Sequence, residues 1–179
     1  MKSSAFPITI TGWIAYLWGL GGFLWLLIYA VARLWPIALD AFSVSLQWWH
    51  WVVLIGNTSL MAYAEGFKGF QRGYSPRVVA RANYLRQQPG WLNVVLAPFF
   101  CMQYYAAPPR RMRVSWLLTV MIIALVLLFH RLPQPWRGIL DAGVVVGLSW
   151  GTLATVITAW RYRYGNAPHT LPAIDPEVR

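Results

Sequence analysis

The stretch that decides how this chain must be arranged is residues 61–82, MAYAEGFKGFQRGYSPRVVARA. It closes some twenty mostly apolar residues, opens with Glu65 and then turns basic. No Asp or Glu follows until Asp141, while ten Lys and Arg fall between the two. A hydrophobic run that gives way to a basic segment marks a chain leaving a bilayer on its cytoplasmic side.

Composition points the same way. The 179 residues are 58% hydrophobic and 11% charged, with a mean hydropathy of +0.47; soluble domains carry roughly 25% charged residues. Such a chain cannot cover a soluble surface, and an all-α integral membrane protein is expected. Twelve Trp and nine Tyr suit the headgroup level. The single Cys101 excludes an internal disulfide and a cysteine-only metal site. A net charge of +10 on a soluble protein would suggest a nucleic-acid partner. Here the positive-inside rule accounts for it, and no nucleic acid is expected.

Four transmembrane helices are predicted, over about residues 13–33, 43–66, 112–130 and 139–160, each close to the roughly 20 residues that cross the hydrocarbon. They form one membrane domain, 1–164, followed by a tail, 165–179. Ala30-Val31-Ala32 fits a signal-peptidase site, but the apolar run before it exceeds the roughly 7–15 residues of a signal core, so an uncleaved span is expected. Residues 75–105 are read as interfacial. Ser75 can cap a helix and Pro76 suits its first turn. Val78, Ala82 and Leu85 then form the apolar stripe of an amphipathic helix on the anionic inner leaflet. Residues 91–105 are apolar but short and interrupted by Asn93 and Pro98, so they are not expected to cross.

Basic residues orient the bundle. Arg77, Arg81, Arg86, Arg110, Arg111 and Arg113 lie in the long middle segment with Lys68 and Arg72. Lys2, Arg161, Arg163 and Arg179 lie near the termini, and only Arg33, Arg131 and Arg137 fall in the other loops. Both termini are therefore expected in the cytoplasm, most simply of a bacterial inner membrane. The six middle-segment arginines are read as a surface for anionic lipid or a partner.

The second span carries the most informative pattern. With Glu65 at 0° and about 100° per residue, Gln47 and Thr58 fall within about 20° of it, His50 at about 60° and Asn57 at about −80°. Extending the helix brings Asp40 to about 20°, Ser43 to about −40°, Lys68 to about −60° and Arg72 to about −20°. Lipid cannot satisfy such a face, so it must look into the bundle, a cavity or a partner. Glu65 is placed near the inner boundary and paired with Lys68 or Arg72, and these three are the weak catalytic candidates. His50, among Trp residues, is the one candidate metal or haem ligand, with His130 as the other histidine on its side.

On the fourth span Gly143, Gly147 and Gly151 make two overlapping G-x-x-x-G steps, a face that lets another backbone approach, in this bundle or in a second chain. Gly147-Leu148-Ser149-Trp150-Gly151 matches G-x-S-x-G in letters, but that elbow needs a strand-to-helix turn and this is mid-helix. Asn57-Thr58-Ser59 lies inside a span and is not a glycosylation site.

Three functional readings follow. The first is an accessory, assembly or scaffold component of a membrane complex, partnered by lipid, other membrane chains or itself, with no cofactor. The second is an embedded enzyme or cofactor protein acting on a phospholipid, isoprenoid or quinone, using Glu65 at the cytoplasmic interface and, in some versions, haem or quinone. The third is a small channel or transporter that uses the polar stripe.

Overall fold

A computed structural model describes residues 9–164. All regular structure among them is helical, without strands. Three helices are long and apolar enough to cross a membrane, which marks the chain as a membrane protein: Ile10–Ser43, Pro109–Phe129 and Trp136–Arg163.

Helix α1 (Ile10–Leu39) starts where the Thr9 hydroxyl accepts from the Gly12 amide at 3.2 Å. Pro36, which has no N–H to donate, sits in its last turn, and a 3-10 turn at Asp40–Ser43 follows. After an extended link, α2 (Trp48–Met61) opens beside Gln47. The chain then passes without a break into a π-wound segment, Ala62–Tyr74, and into α3 (Ser75–Gln87). The Ser75 amide still donates to the Phe70 carbonyl, five residues back. Ser75 therefore caps nothing, because no helix begins there. Its hydroxyl instead hydrogen-bonds the Thr155 hydroxyl at 2.7 Å.

The α3 helix also departs from expectation. Val78, Val79, Ala82 and Leu85 are fully buried, packed against α1 and α7 rather than laid on lipid. The sequence shows the stripe but not which surface covers it. Helix α3 ends at Gln87, and Gln88, at φ −135° and ψ 74°, has left the helical region, which Pro89 disfavours in the residue before it.

Residues 91–105 form two five-residue helices, α4 (Trp91–Val95) and α5 (Ala97–Cys101), broken at Leu96. Neither is long enough to cross. Both pack on the first half of α1. Gly19 and Gly22 make that approach possible: a Cβ on Gly19 would stand 2.8 Å from Cys101 Sγ, and one on Gly22 2.7 Å from Pro98 Cγ. Helix α6 (Pro109–Phe129) begins with proline at its first position, where a missing N–H costs nothing. Helix α7 (Trp136–Arg163) follows a short turn.

The core is a sandwich of α1, the long helix Trp48–Gln87 and α7. The long helix runs back along α1: Tyr74 meets Phe23 at 5.5 Å between ring centroids, and a Cβ on Gly12 would lie 3.1 Å from the Arg86 carbonyl carbon. It runs parallel to α7, with Asn57 opposite Gly143, Glu65 opposite Gly147 and Ser75 opposite Thr155. The expected tail 165–179, with Lys2 and Arg179, lies outside the described residues.

Candidate functional site

The glycine stripe and the polar stripe meet each other. A Cβ on Gly143 would come within 2.9 Å of Asn57 Cγ, one on Gly147 within 3.0 Å of Glu65 Oε2, and one on Gly151 within 2.5 Å of the Phe70 ring. Gly66 answers from the other side, with the Trp150 indole 2.8 Å from where its Cβ would be. The small residues thus bring α7 onto the Asn57–Glu65 edge of the long helix within this one chain.

Most of the stripe's polar groups are hydrogen-bonded within the chain. Asn57 Nδ2 donates to the Ile139 carbonyl at 2.8 Å, and Thr58 Oγ1 donates back to Leu54 O at 2.7 Å. Asp40 does not belong to the stripe. It sits in the 3-10 turn after α1, exposed and on a different element, because the chain is extended at 44–47 and the helical projection does not run through it. Gln47 is exposed just outside α2. Its backbone N–H donates to His50 Nδ1 at 3.0 Å, and its side chain accepts from the Trp49 indole.

His50 is buried, stacked on Trp49 with centroids 3.7 Å apart and edge-on to Trp136 at 5.3 Å. With Nδ1 accepting a hydrogen bond, the neutral ring carries its proton on Nε2. Among the described residues no group of three His, Cys, Asp or Glu could hold a metal ion.

Glu65 lies against Gly147, the twelfth residue of the 28 in α7. It is half-buried there. Among the described residues its carboxylate makes no ion pair, so the expected contacts with Lys68 and Arg72 do not form. The winding explains this. In a π-turn the hydrogen bond reaches five residues, so neighbours up the helix are five apart rather than three or four. Lys68 lies over the Tyr63 ring at 5.5 Å, Arg72 over the Phe67 ring at 4.4 Å, and the two rings stack at 6.0 Å. Both cations are exposed, whereas Glu65 lies against α7. The weak catalytic trio is therefore split between two faces.

The expected arginine surface is also split. Arg110 and Arg113 are exposed and Arg111 half-buried. Arg77 donates from Nε to Gly73 O at 2.8 Å. Arg81 is buried, 6% exposed, and unavailable to lipid. It donates from Nε to Phe100 O at 2.7 Å and from Nη2 to Tyr105 O at 3.2 Å and Ala106 O at 2.9 Å, with its guanidinium 3.8 Å from the Phe100 ring centroid. Burial pulls its pKa down to about 10, which leaves it charged at neutral pH. It closes a turn in which Gln103 and Ala106 both adopt positive φ, 64° and 50°. Arg86 and Arg163 both lie over the Trp13 ring near the start of α1, at 5.1 and 5.0 Å.

One acid was passed over in the sequence. Asp141, 5% exposed, sits on α7 with Arg137 Nε at 3.8 Å, the one ion pair among the described residues. The i, i+4 spacing of Arg137 and Asp141 was the signal for it. Ser149 is exposed on α7.

Comparison with protein-family models, with curated proteins and with solved structures finds no match.

Proposed function

We propose that this chain is a non-catalytic accessory or assembly component of a membrane complex, crossing a bacterial inner membrane four times with both ends of its membrane domain in the cytoplasm. The observation that carries the reading is α6. This apolar 21-residue helix buries only Ser115. Its polar and aromatic ties to the rest of the chain are made by its first half to the turn after α5: Ser115 Oγ to Met102 O at 3.0 Å, Thr119 with the Tyr104 hydroxyl at 2.5 Å, and Trp116 against the Tyr104 ring at 5.1 Å. From Val120 to Leu128 it is exposed throughout. Helices in lipid associate by close packing and hydrogen bonding, not by hydrophobicity. The outer half of α6 has neither within this chain, as fits a helix whose packing partner is another chain. The fourth crossing is supported by the long helix, which leaves the Asp40 end of α1 and reaches its Gly12 end at Arg86.

The test is a photo-crosslinking residue at Ile122 or Leu125, followed by purification in mild detergent. A stoichiometric crosslink to one foreign membrane chain is expected. Crosslinks to lipid alone would overturn the reading.

A second reading, transport or chemistry on a lipid-soluble substrate, is favoured by one observation: among the described residues Glu65 is half-buried beside Gly147 without a cation. Acids within membrane spans are functional candidates by default. This reading requires a substrate or proton to reach Glu65 without help from Lys68 and Arg72.

A further inference from the structure

Three helices begin or end together at one end of the bundle. Helix α1 starts at Ile10, α3 ends at Gln87 and α7 ends at Arg163. Trp13, in the first turn of α1, receives a guanidinium from each of the other two. The Arg86 group lies 5.1 Å from its ring centroid and the Arg163 group 5.0 Å. The two charges are therefore no further apart than those distances laid end to end. Tyr16, edge-on to Trp13 at 5.8 Å, continues the platform to 6.0 Å from Arg86.

A guanidinium packed on a ring keeps its N–H donors, which lie in its own plane. Arg77, Arg81 and Arg113 give theirs to backbone carbonyls. Among the described residues neither Arg86 nor Arg163 has an ion pair, and Arg86 Nε is covered from solvent without an acceptor. The helix ends do not neutralise the pair. The C-termini of α3 and α7 each present roughly half a negative charge and the N-terminus of α1 roughly half a positive one, against two full positive charges. No acid stands in the first turn of α1. Glu65 lies opposite Gly147, about 24 Å along α7 from Arg163 and beyond the roughly 8–10 Å over which exposed charges act in salt. Asp40 follows the far end of α1, and Asp141 lies in the first half of α7 with Arg137.

The surroundings say which anion suits the pair. Trp91, five residues after Arg86, is exposed, as are Trp160 and Tyr164 on either side of Arg163. Ile14 and Leu17, further along α1, are exposed and apolar. Indole and phenol rings collect at the headgroup level of a bilayer. Arginine forks grip phosphate oxygens two at a time, and a phosphate has oxygens enough for two forks where a carboxylate fills one.

We infer that Arg86 and Arg163, brought together over Trp13 at the common end of α1, α3 and α7, bind the phosphate group of an anion. The site does not depend on the accessory reading and leaves Glu65 out.

The experiment is thermal unfolding of the full chain in phosphate-free detergent solution, titrated separately with phosphatidylglycerol and with soluble glycerol phosphate, with native mass spectrometry to count what stays bound. At least one of them should raise the unfolding temperature: the lipid alone if the phosphate comes from the membrane, both if the site also takes it from solution. The double variant Arg86→Gln/Arg163→Gln should weaken that response roughly tenfold or more, the loss expected of charged hydrogen bonds. Arg131→Gln, at the opposite end of the bundle, should keep it. If the double variant does not fold, Arg163→Gln alone, at an exposed position, is read in the same titration. A response to neither compound would overturn the site, and so would an unchanged response in the folded charge-removed variant. So would a response that appears only in Asp175→Asn/Glu177→Gln, because the two arginines would then belong to the acids of the chain's own tail.

Discussion

The carboxylate of Glu65 lies where a side chain on Gly147 would have to be: Oε2 is 3.0 Å from the Cβ position. A Cβ on residue 147 would also stand 3.3 Å from Glu65 Cβ, so glycine eases the close approach of α7 here. A contact that close must give by a few tenths of an ångström for alanine and by much more for a branched side chain.

Gly147→Leu is accordingly expected to force α7 away and to cost about 1–3 kcal/mol, as overpacking of close interfaces does. Thermal unfolding in detergent measures it. Gly21→Leu serves as the control, since a Cβ there meets nothing within 4 Å. Equal losses at the two positions would show that the α7 contact is not what the glycine serves.

Asn57 should matter less than its central position suggests. Its side chain bonds the carbonyls of Ile139 and Leu140, and interhelical hydrogen bonds in membranes average about 0.6 kcal/mol. Asn57→Ala is expected to lower stability by less than about 1 kcal/mol, well below Gly143→Leu. An effect as large as the glycine variant's would mean that Asn57 has a role beyond packing.

Glu65→Gln separates the two functional readings. The side chain has no cation to lose, and the amide is nearly the same size, so expression and unfolding temperature should stay at wild-type values. If the chain is an accessory component, assembly of its complex should also survive. Abolished function in a variant of normal stability and abundance would favour the proton-relay or substrate-positioning role.

Arg81 is expected to be the most sensitive of the basic residues. Its guanidinium holds one carbonyl of α5 and two of the turn between α5 and α6, and hydrogen bonds to charged groups contribute about 1.5–3 kcal/mol each. Arg81→Met should cost about 2 kcal/mol or more and open residues 101–108 to limited proteolysis. Arg110→Met and Arg113→Met, both exposed, should change stability little. Equal protease sensitivity in the three variants would contradict the clamp.

Topology is tested by reporter fusions. After Gln88 and after Arg163 the reporter should read cytoplasmic, and after Pro133 external. An external signal at Gln88 would mean that Trp48–Tyr74 does not cross, leaving the three helices that length and hydropathy alone identify.

The sequence by itself determined that the chain is helical and membrane-embedded. Those properties follow from local composition and apolar length, which do not depend on what faces what. It also located the small-residue stripe of α7 and the apolar stripe of α3, because a period along one helix is visible in one segment. Tertiary structure decided what each stripe meets. The Gly143–Gly151 face closes on Asn57 and Glu65 within this chain, and Val78, Ala82 and Leu85 meet α1 and α7. Projection at 100° per residue failed beyond Met61 because the backbone changes to π-winding there. That change turns Lys68 and Arg72 onto Tyr63 and Phe67 and leaves Glu65 alone against α7. Arg81 reads as a lipid-facing charge in sequence. Its burial depends on carbonyls about 20 to 25 residues further along, which become neighbours only when α5 folds back onto α3.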